Sequence, residues 1–258
     1  MTIPPTPSSD IAKRYRDGMT ARLDAITDTQ QAAINEAAQM FYEQIKADRL
    51  IHVYGVGGHS YVGSEEFFFR AGGLANISPM FEPSLSLAGG GQKSTLLERV
   101  EDIGDKIVKA HHLGSDDLLV ITSAYGINAC TIDAALEAKR RGCRVIAISS
   151  VAFAEATPRD FKARHHNQKN LGEIADVIID NHVPHGETLL QLGDYPQKVG
   201  GTCNVLQCFC VNWLVMEAID LCLKNGVEPP VWKSANTLGG DEHNESYLKK
   251  YTSRVKAL

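Results

Sequence analysis

Leu50-Ile51-His52-Val53-Tyr54-Gly55-Val56-Gly57-Gly58-His59-Ser60 is the stretch on which the reading of this chain turns. An apolar run rich in β-branched residues breaks into glycines, a histidine and a hydroxyl, and an amphipathic segment, Tyr61 to Ala71, follows at once. That order predicts a buried strand, a tight turn and a helix N-terminus. The first N–H groups of a helix are unpaired and the helix dipole adds partial positive charge, so such a junction suits an anion. Glycine lets the backbone come close to a ligand.

Outward from this junction the chain alternates. Leu74–Met80 reads as a second strand, Asp117–Thr122 as a third, Arg144–Ser149 as a fourth and Ile174–Ile179 as a fifth. Helical patterns fill the intervals at about 61–71, 94–112 and 127–141. Near-continuous apolar strands alternating with helices predict an α/β fold with a parallel sheet covered on both faces. Before the first strand, Ile11, Tyr15, Met19, Leu23 and Ile26, then Ala33, Ala37, Met40, Phe41 and Ile45, recur at helical spacing. This helical extension, residues 1–48, needs a surface to cover its stripe; a second subunit is the expected one, the sheet the alternative. Residues 49–225 form the expected central domain, closed by an apolar helix over about Thr202–Leu223, and 226–258 a polar tail that packs on the domain or on a partner subunit, with Tyr247–Val255 helical.

The totals fit this picture. The 258 residues are 43% hydrophobic and 22% charged, as in an ordinary globular protein, and suffice for a sizeable core. A formal net charge of −5 without a long basic run gives no reason to expect a nucleic-acid surface. No apolar stretch is read as approaching the roughly 20 residues of a membrane span. The Pro/Ser-rich start, Met1 to Asp10, lacks the apolar core of a secretion signal. The six cysteines (130, 143, 203, 208, 210 and 222) form no CxxC pair and lie mostly in apolar surroundings, as reduced core cysteines do. A cytoplasmic protein is the expectation.

In an open parallel sheet, ligands bind beyond the carboxyl ends of the strands. Two of those ends carry similar chemistry: Gly57-Gly58-His59-Ser60, and Thr122-Ser123-Ala124-Tyr125-Gly126-Ile127-Asn128. Side by side, they would offer several N–H and O–H donors to one anionic group. Two rival readings stay open. Gly55-x-Gly57 also begins a dinucleotide fingerprint, although Ser60 stands where a third glycine belongs and Glu82 lies beyond the usual distance for the acidic residue. The glycines also serve plain tight turns.

The chain resembles the SIS (sugar isomerase) domain proteins. The resemblance is carried by Gly58-His59-Ser60, Glu65-Glu66, Phe69-Arg70-Ala71-Gly72-Gly73-Leu74, Ser123 with Gly126 and Asn128, and Ile174-Ala175-Asp176-Val177-Ile178-Ile179-Asp180-Asn181, and by Lys198-Val199-Gly200, Ser234-Ala235-Asn236 and Gly240-Asp241-Glu242-His243-Asn244. It runs from about residue 10 to 250, is nearest to a bacterial group of single-domain SIS proteins, and extends more distantly to phosphoheptose isomerases. It implies a doubly wound five-stranded parallel sheet of flavodoxin-like three-layer α/β/α build, a homodimer or homotetramer, and a small-molecule sugar or sugar phosphate as ligand. Nucleic acid and membrane are not expected partners, and no cofactor is expected. By the resemblance, Ser60 and Ser123 are the loop serines that hold a sugar phosphate, and Gly57, Gly58, Tyr125, Gly126 and Asn128 complete the binding set. The sequence departs from the pattern twice. The glycine turn is one residue longer than the usual GxGxS, and Tyr125 replaces the second serine of Ser-x-Ser-Gly, so an unphosphorylated or sulfonated sugar also fits.

The activity so implied is aldose–ketose isomerisation through an enediol(ate), with a non-catalytic sugar-phosphate sensor and a sugar-phosphate lyase or etherase as alternatives. A carboxylate must carry a proton between C1 and C2, within hydrogen-bond reach and with a pKa raised toward neutrality. The candidates are Glu65, Glu66 and Glu187, with His59 or His243 as ring-opening acid. Adjacent helical carboxylates diverge by about 100°, so only one of Glu65 and Glu66 can face a ligand; both also suit a helix N-terminus as plain first-turn acids. No HxH or HxxxH spacing points to a metal, although His59, the Glu65–Glu66 pair, His182 and His185 are the groups one would draw on.

Overall fold

The computed structural model describes residues 10–258; the Pro/Ser-rich start before Asp10 lies outside the described residues. Five strands, β1 (Ile51–Tyr54), β2 (Ile77–Pro79), β3 (Leu118–Thr122), β4 (Arg144–Ser149) and β5 (Val177–Asp180), form one sheet in the order β2-β1-β3-β4-β5. All four pairings are parallel, with Ile51 opposite both Ile77 and Leu118. β1 and β3 are buried at every position, as their unbroken apolar runs require. The winding reverses between β1 and β3, the place where an open α/β sheet leaves a crevice at its carboxyl edge.

One face of the sheet carries α1 (Ile11–Lys46), α2 (Gly58–Phe67) and α7 (Cys203–Lys224). Ile26, Ile34 and Phe41 of α1 share a core with Val53, Val120 and Ile148 of the sheet and with Leu206 and Leu214 of α7. The stripe of α1, expected to seek a second subunit, is therefore covered within the chain. Each large side chain so buried contributes about 1.5–3 kcal/mol, which the sheet can supply directly. The other face carries α3 (Gly91–Leu97), α4 (Ile103–Ala110) and α5 (Ala129–Arg140), with Val108, Ile132 and Ala135 packed on Leu119, Ile121 and Val145.

The helix expected over 94–112 is two. Asp102, in the left-handed region at φ 66°, separates α3 from α4, and its N–H donates to Asp133 Oδ2 at 2.6 Å. A one-and-a-half-turn helix, α6 (Val151–Ala156), and an antiparallel hairpin, β6 (Thr188–Leu190) with β7 (Val199–Gly201), are among the elements without a counterpart in the sequence reading. The tail packs on its own chain. Trp232 joins Ala75, Tyr251 and Val255 in a small core, α8 (Gly240–Tyr251) is helical, and Asp48 pairs with Lys250 and Arg254.

Contrary to the sequence expectation, one helix does approach membrane length. α7 has 22 residues and reaches a mean hydropathy of 1.5 over 18 of them, long and apolar enough by that measure to cross a bilayer. Asn204, Gln207, Asn212 and Asp220 interrupt it in sequence, which hides its length from a search for unbroken apolar runs. In the fold, its Leu206, Cys210, Leu214 and Ala218 are buried against the sheet and α1. Met216 and Leu223 on its opposite side are about 60% exposed (60% and 62%).

Candidate functional site

Gly57, at φ 82°, is the N-cap of α2, and a Cβ there would collide with Glu98 Oε2. Only glycine allows both the turn and the approach of that carboxyl group. Helix α2 then starts at Gly58, and the N–H groups of Gly58, His59 and Ser60 are left without intrahelical acceptors. The second loop is tied to the first. Ser60 Oγ accepts from the Ala124 N–H at 3.2 Å, and Thr122 Oγ1 donates to the Ser60 carbonyl at 2.7 Å. Ser123 Oγ in turn accepts from the Gly126 N–H at 2.9 Å, which folds its own loop. Both serines are buried (4% and 3% exposed), yet each retains its hydroxyl proton for donation. Asn128, the N-cap of α5, is buried with its Oδ1 unpartnered among the described residues; the same holds for Ser149 Oγ at the end of β4 and for both side-chain polar atoms of Gln207 on α7. Buried polar atoms of this kind are uncommon and call for a reason.

A cleft of about 520 Å³ opens between α2, the start of α7 and the β6–β7 hairpin, lined by Gly58, His59, Val62, Glu187, Cys203 and Asn204 among others. That is the size of a small-molecule site. His59 Nδ1 stands 3.7 Å from Glu187 Oε2. Burial, the larger influence, holds the imidazole below its ordinary pKa, and Glu187 opposes this. Its ring meets Tyr125 edge-on at 5.4 Å, and Tyr125 stacks on Phe153 at 4.9 Å. Burial also raises the Tyr125 phenol, which remains a hydrogen-bond donor.

Glu187 reaches the cleft through an unusual backbone. Gly186 and Glu187 are both left-handed, at φ 82° and 67°. The Glu187 carbonyl accepts from both the N–H and the Oγ1 of Thr202, each at 3.0 Å. A non-glycine residue held there costs about 1–3 kcal/mol and persists only where its surroundings over-determine it. Cys203, buried at the first turn of α7, completes the group. Desolvation, with Glu187 nearby, pushes its thiol up to about 12.

Sequence reasoning passed over Glu98. It ends α3, is only 7% exposed and stands behind the Gly57 turn. Burial, aided by Glu187 and opposed by Arg99 and the Asn128 side chain, raises its carboxyl to about 7. Within a pattern taken for one continuous helix at 94–112, a glutamate reads as solvent-facing. The break at Asp102 and the close approach of Gly57 are what bury it.

The other expected residues lie elsewhere. Glu66 Oε1 accepts from Asn212 Nδ2 at 2.9 Å and pairs with Arg70, while Glu65 is half-buried beside Tyr61; neither is among the residues lining the cleft. His243 donates from Nε2 to the Val231 carbonyl at 3.0 Å and meets Tyr247 edge-on, both partners being in the tail. Two sets of side chains have ligand atoms within 4.8 Å of one another: His59 with Glu187 and Cys203, and Glu101 with His165 and His166. In the second set His165 has both ring nitrogens engaged outside the set. His165 bonds Asp133 at 3.0 Å and the Asn167 N–H at 3.1 Å, and His166 bonds Glu101 at 2.8 Å.

Residues 14–150 match the family model described as SIS domain. A UPF0309 protein of Thermoanaerobacter pseudethanolicus is 36% identical over 248 residues, which cover 95% of this chain and 98% of that one. A second, of Geobacillus thermodenitrificans, is 34% identical over 245 residues, covering 95% and 96%. Among solved structures, a phosphoheptose isomerase from Francisella tularensis superposes with a TM-score of 0.51 at 14% identity, over 83% of this chain and 100% of its own. The NanR protein of Vibrio vulnificus, complexed with ManNAc-6P, does so with a TM-score of 0.50 at 14% identity, over 97% and 71%. At such identity the two structures speak to the fold.

Proposed function

The chain belongs to the SIS domain family, and we propose that it is an aldose–ketose isomerase acting on a phosphorylated or otherwise anionic sugar. The observation that carries this reading is Glu98: a carboxyl group buried at the mouth of an anion cradle and held at about 7. A group that must take a proton from C2 and return it to C1 works best with a pKa near the ambient pH.

In this reading the anionic end of the sugar rests on the N–H groups that open α2 and on the hydroxyls of Ser60 and Ser123. The Asn128 side chain and the Tyr125 hydroxyl border it, with Gly57, Gly58 and Gly126 supplying the close backbone. The two-loop tie through Ser60 Oγ pre-organises the cradle, so little ordering is left for the moment of binding. Glu98 acts as the base. His59 and Glu187, side by side on the cleft wall, hydrogen-bond the ring oxygen and the C1 hydroxyl and so assist ring opening. The enediolate is protonated on the neighbouring carbon by the same Glu98 carboxyl.

The test is proton exchange at C2, followed by NMR in D2O on a panel of hexose and heptose phosphates and their sulfonated analogues. Wild-type protein should exchange one of them, and Glu98→Gln should bind it, as scored by thermal shift, without exchange. Exchange surviving in Glu98→Gln would rule out this base. Binding without exchange in the wild type would favour the sensor, which needs the cradle and has no use for a carboxyl group poised near neutrality.

A further inference from the structure

His59, Glu187 and Cys203, which all line the cleft, offer one nitrogen, one oxygen and one sulfur ligand within 4.8 Å of one another. We propose that they form a three-ligand site for a divalent cation of the zinc class, with its fourth position open to the cleft. The proposal rests on reading this cleft as the sugar site, and it assigns the oxygens of the sugar to that fourth position.

The geometry is close to what such an ion needs. At Zn–S of about 2.3 Å and Zn–N or Zn–O of about 2.0–2.1 Å, tetrahedral ligands stand roughly 3.3–3.6 Å apart. His59 Nδ1 and Glu187 Oε2 are already at 3.7 Å. The remaining separations, all below 4.8 Å, close by about an ångström through side-chain rotation. An imidazole, a carboxylate and a thiol together favour a borderline-soft ion over magnesium or calcium, which take oxygen ligands. Three protein ligands with one open position mark a catalytic rather than a structural site.

The three side chains also face one another rather than the backbone, unlike two of the molecule's buried cysteines. Cys130 Sγ donates to the Leu97 carbonyl at 3.3 Å and Cys143 Sγ to the Gly114 carbonyl at 3.0 Å. Among the described residues, the Cys203 thiol is paired with the Glu187 and Thr202 side chains, and the one charged group against the His59 ring nitrogens is Glu187. The three ligands come from three places in the chain, yet each is held. His59 stands in the first turn of α2 and Cys203 in that of α7, and the left-handed Glu187 is locked by the two Thr202 bonds. An ion here would meet the oxygens of an open-chain sugar and polarise its carbonyl, leaving the anionic end to the α2 cradle.

The experiment uses the full chain, stripped with EDTA and titrated with Co2+ under UV–visible observation. One equivalent should bind with a thiolate-to-cobalt charge-transfer band that Zn2+ abolishes. Cys203→Ser should lose the band, and Cys208→Ser, changed at a cysteine outside the cluster, should keep it. Glu187→Gln should keep the band and bind at least the roughly 10- to 100-fold more weakly that even an outer-sphere loss brings. Absence of saturable uptake, a band that persists in Cys203→Ser, or unchanged affinity in Glu187→Gln would each overturn the site. C2 proton exchange measured beside the titration keeps the two ideas apart: exchange without uptake removes the cation alone, and uptake without exchange removes the isomerase alone.

Discussion

Glu98 is the residue whose environment differs most from what its place in the sequence suggests, and its burial has a thermodynamic consequence. Folded, its carboxyl titrates at about 7; its ordinary value is 4.5. Between those pH values the native state holds a proton the unfolded chain has lost, so this group stabilises the fold less and less as pH rises through the window. The gap corresponds to about 3 kcal/mol. Glu98→Gln is therefore expected to raise the melting temperature at pH 8 and to leave it nearly unchanged at pH 4.5, by calorimetry in both buffers. The opposite pH trend would show that the carboxyl is not held protonated. The isomerase proposed for this chain carries the matching sign: a Glu98 base must lose its proton, so kcat/KM should rise with pH through about 7. The serines and glycines of the two loops were readable from residue types, because turn and cap chemistry is local. Glu98 was not, because its burial comes from Gly57, some forty positions earlier in the chain.

At the scale of elements, the contact between α4 and α5 depends on Gly104. A Cβ there would meet the Cys130 carbonyl, and would stand 2.8 Å from the Ala134 N–H nitrogen and 3.0 Å from the Asp133 Cβ. Gly104→Ala should push the helices apart and cost about 1–3 kcal/mol in urea denaturation, the usual range for overpacking. Gly91→Ala in α3 has open space and should cost almost nothing. Equal losses for both would show that backbone freedom rather than space governs Gly104. The strands of the sheet were legible because buried parallel strands are continuous apolar runs. The break at Asp102 was not, since it follows from the capture of its N–H by Asp133 on α5, a tertiary contact. The β6–β7 hairpin escaped notice for a similar reason. Its strands have three residues each, and they are held from outside by Tyr15 Oη donating to the Gly201 carbonyl at 2.6 Å and by Arg14 donating to the Gln191 carbonyl at 3.0 Å.

For the whole molecule, α1 is part of the core. A chain beginning at Arg49 exposes the α7 and sheet surfaces that Ile26, Ile34 and Phe41 cover, and is expected to show no cooperative thermal transition; a sharp melt would show that 49–225 folds alone. Tyr15→Phe is a milder probe. It frees the hairpin that carries the approach to Glu187 and Cys203, so it should cost about 0.5–1.5 kcal/mol in stability and weaken sugar binding in thermal shift. Sequence by itself determined the α/β class, the five parallel strands and the glycine–serine turn that opens α2, because each follows from hydrophobic period and local backbone chemistry. The tertiary structure alone decided which acidic and thiol groups lie beside that turn. His59, Glu98, Glu187 and Cys203 come from four separate segments, and no local preference brings them together; the strand order and the buried faces of α1 and α7 do.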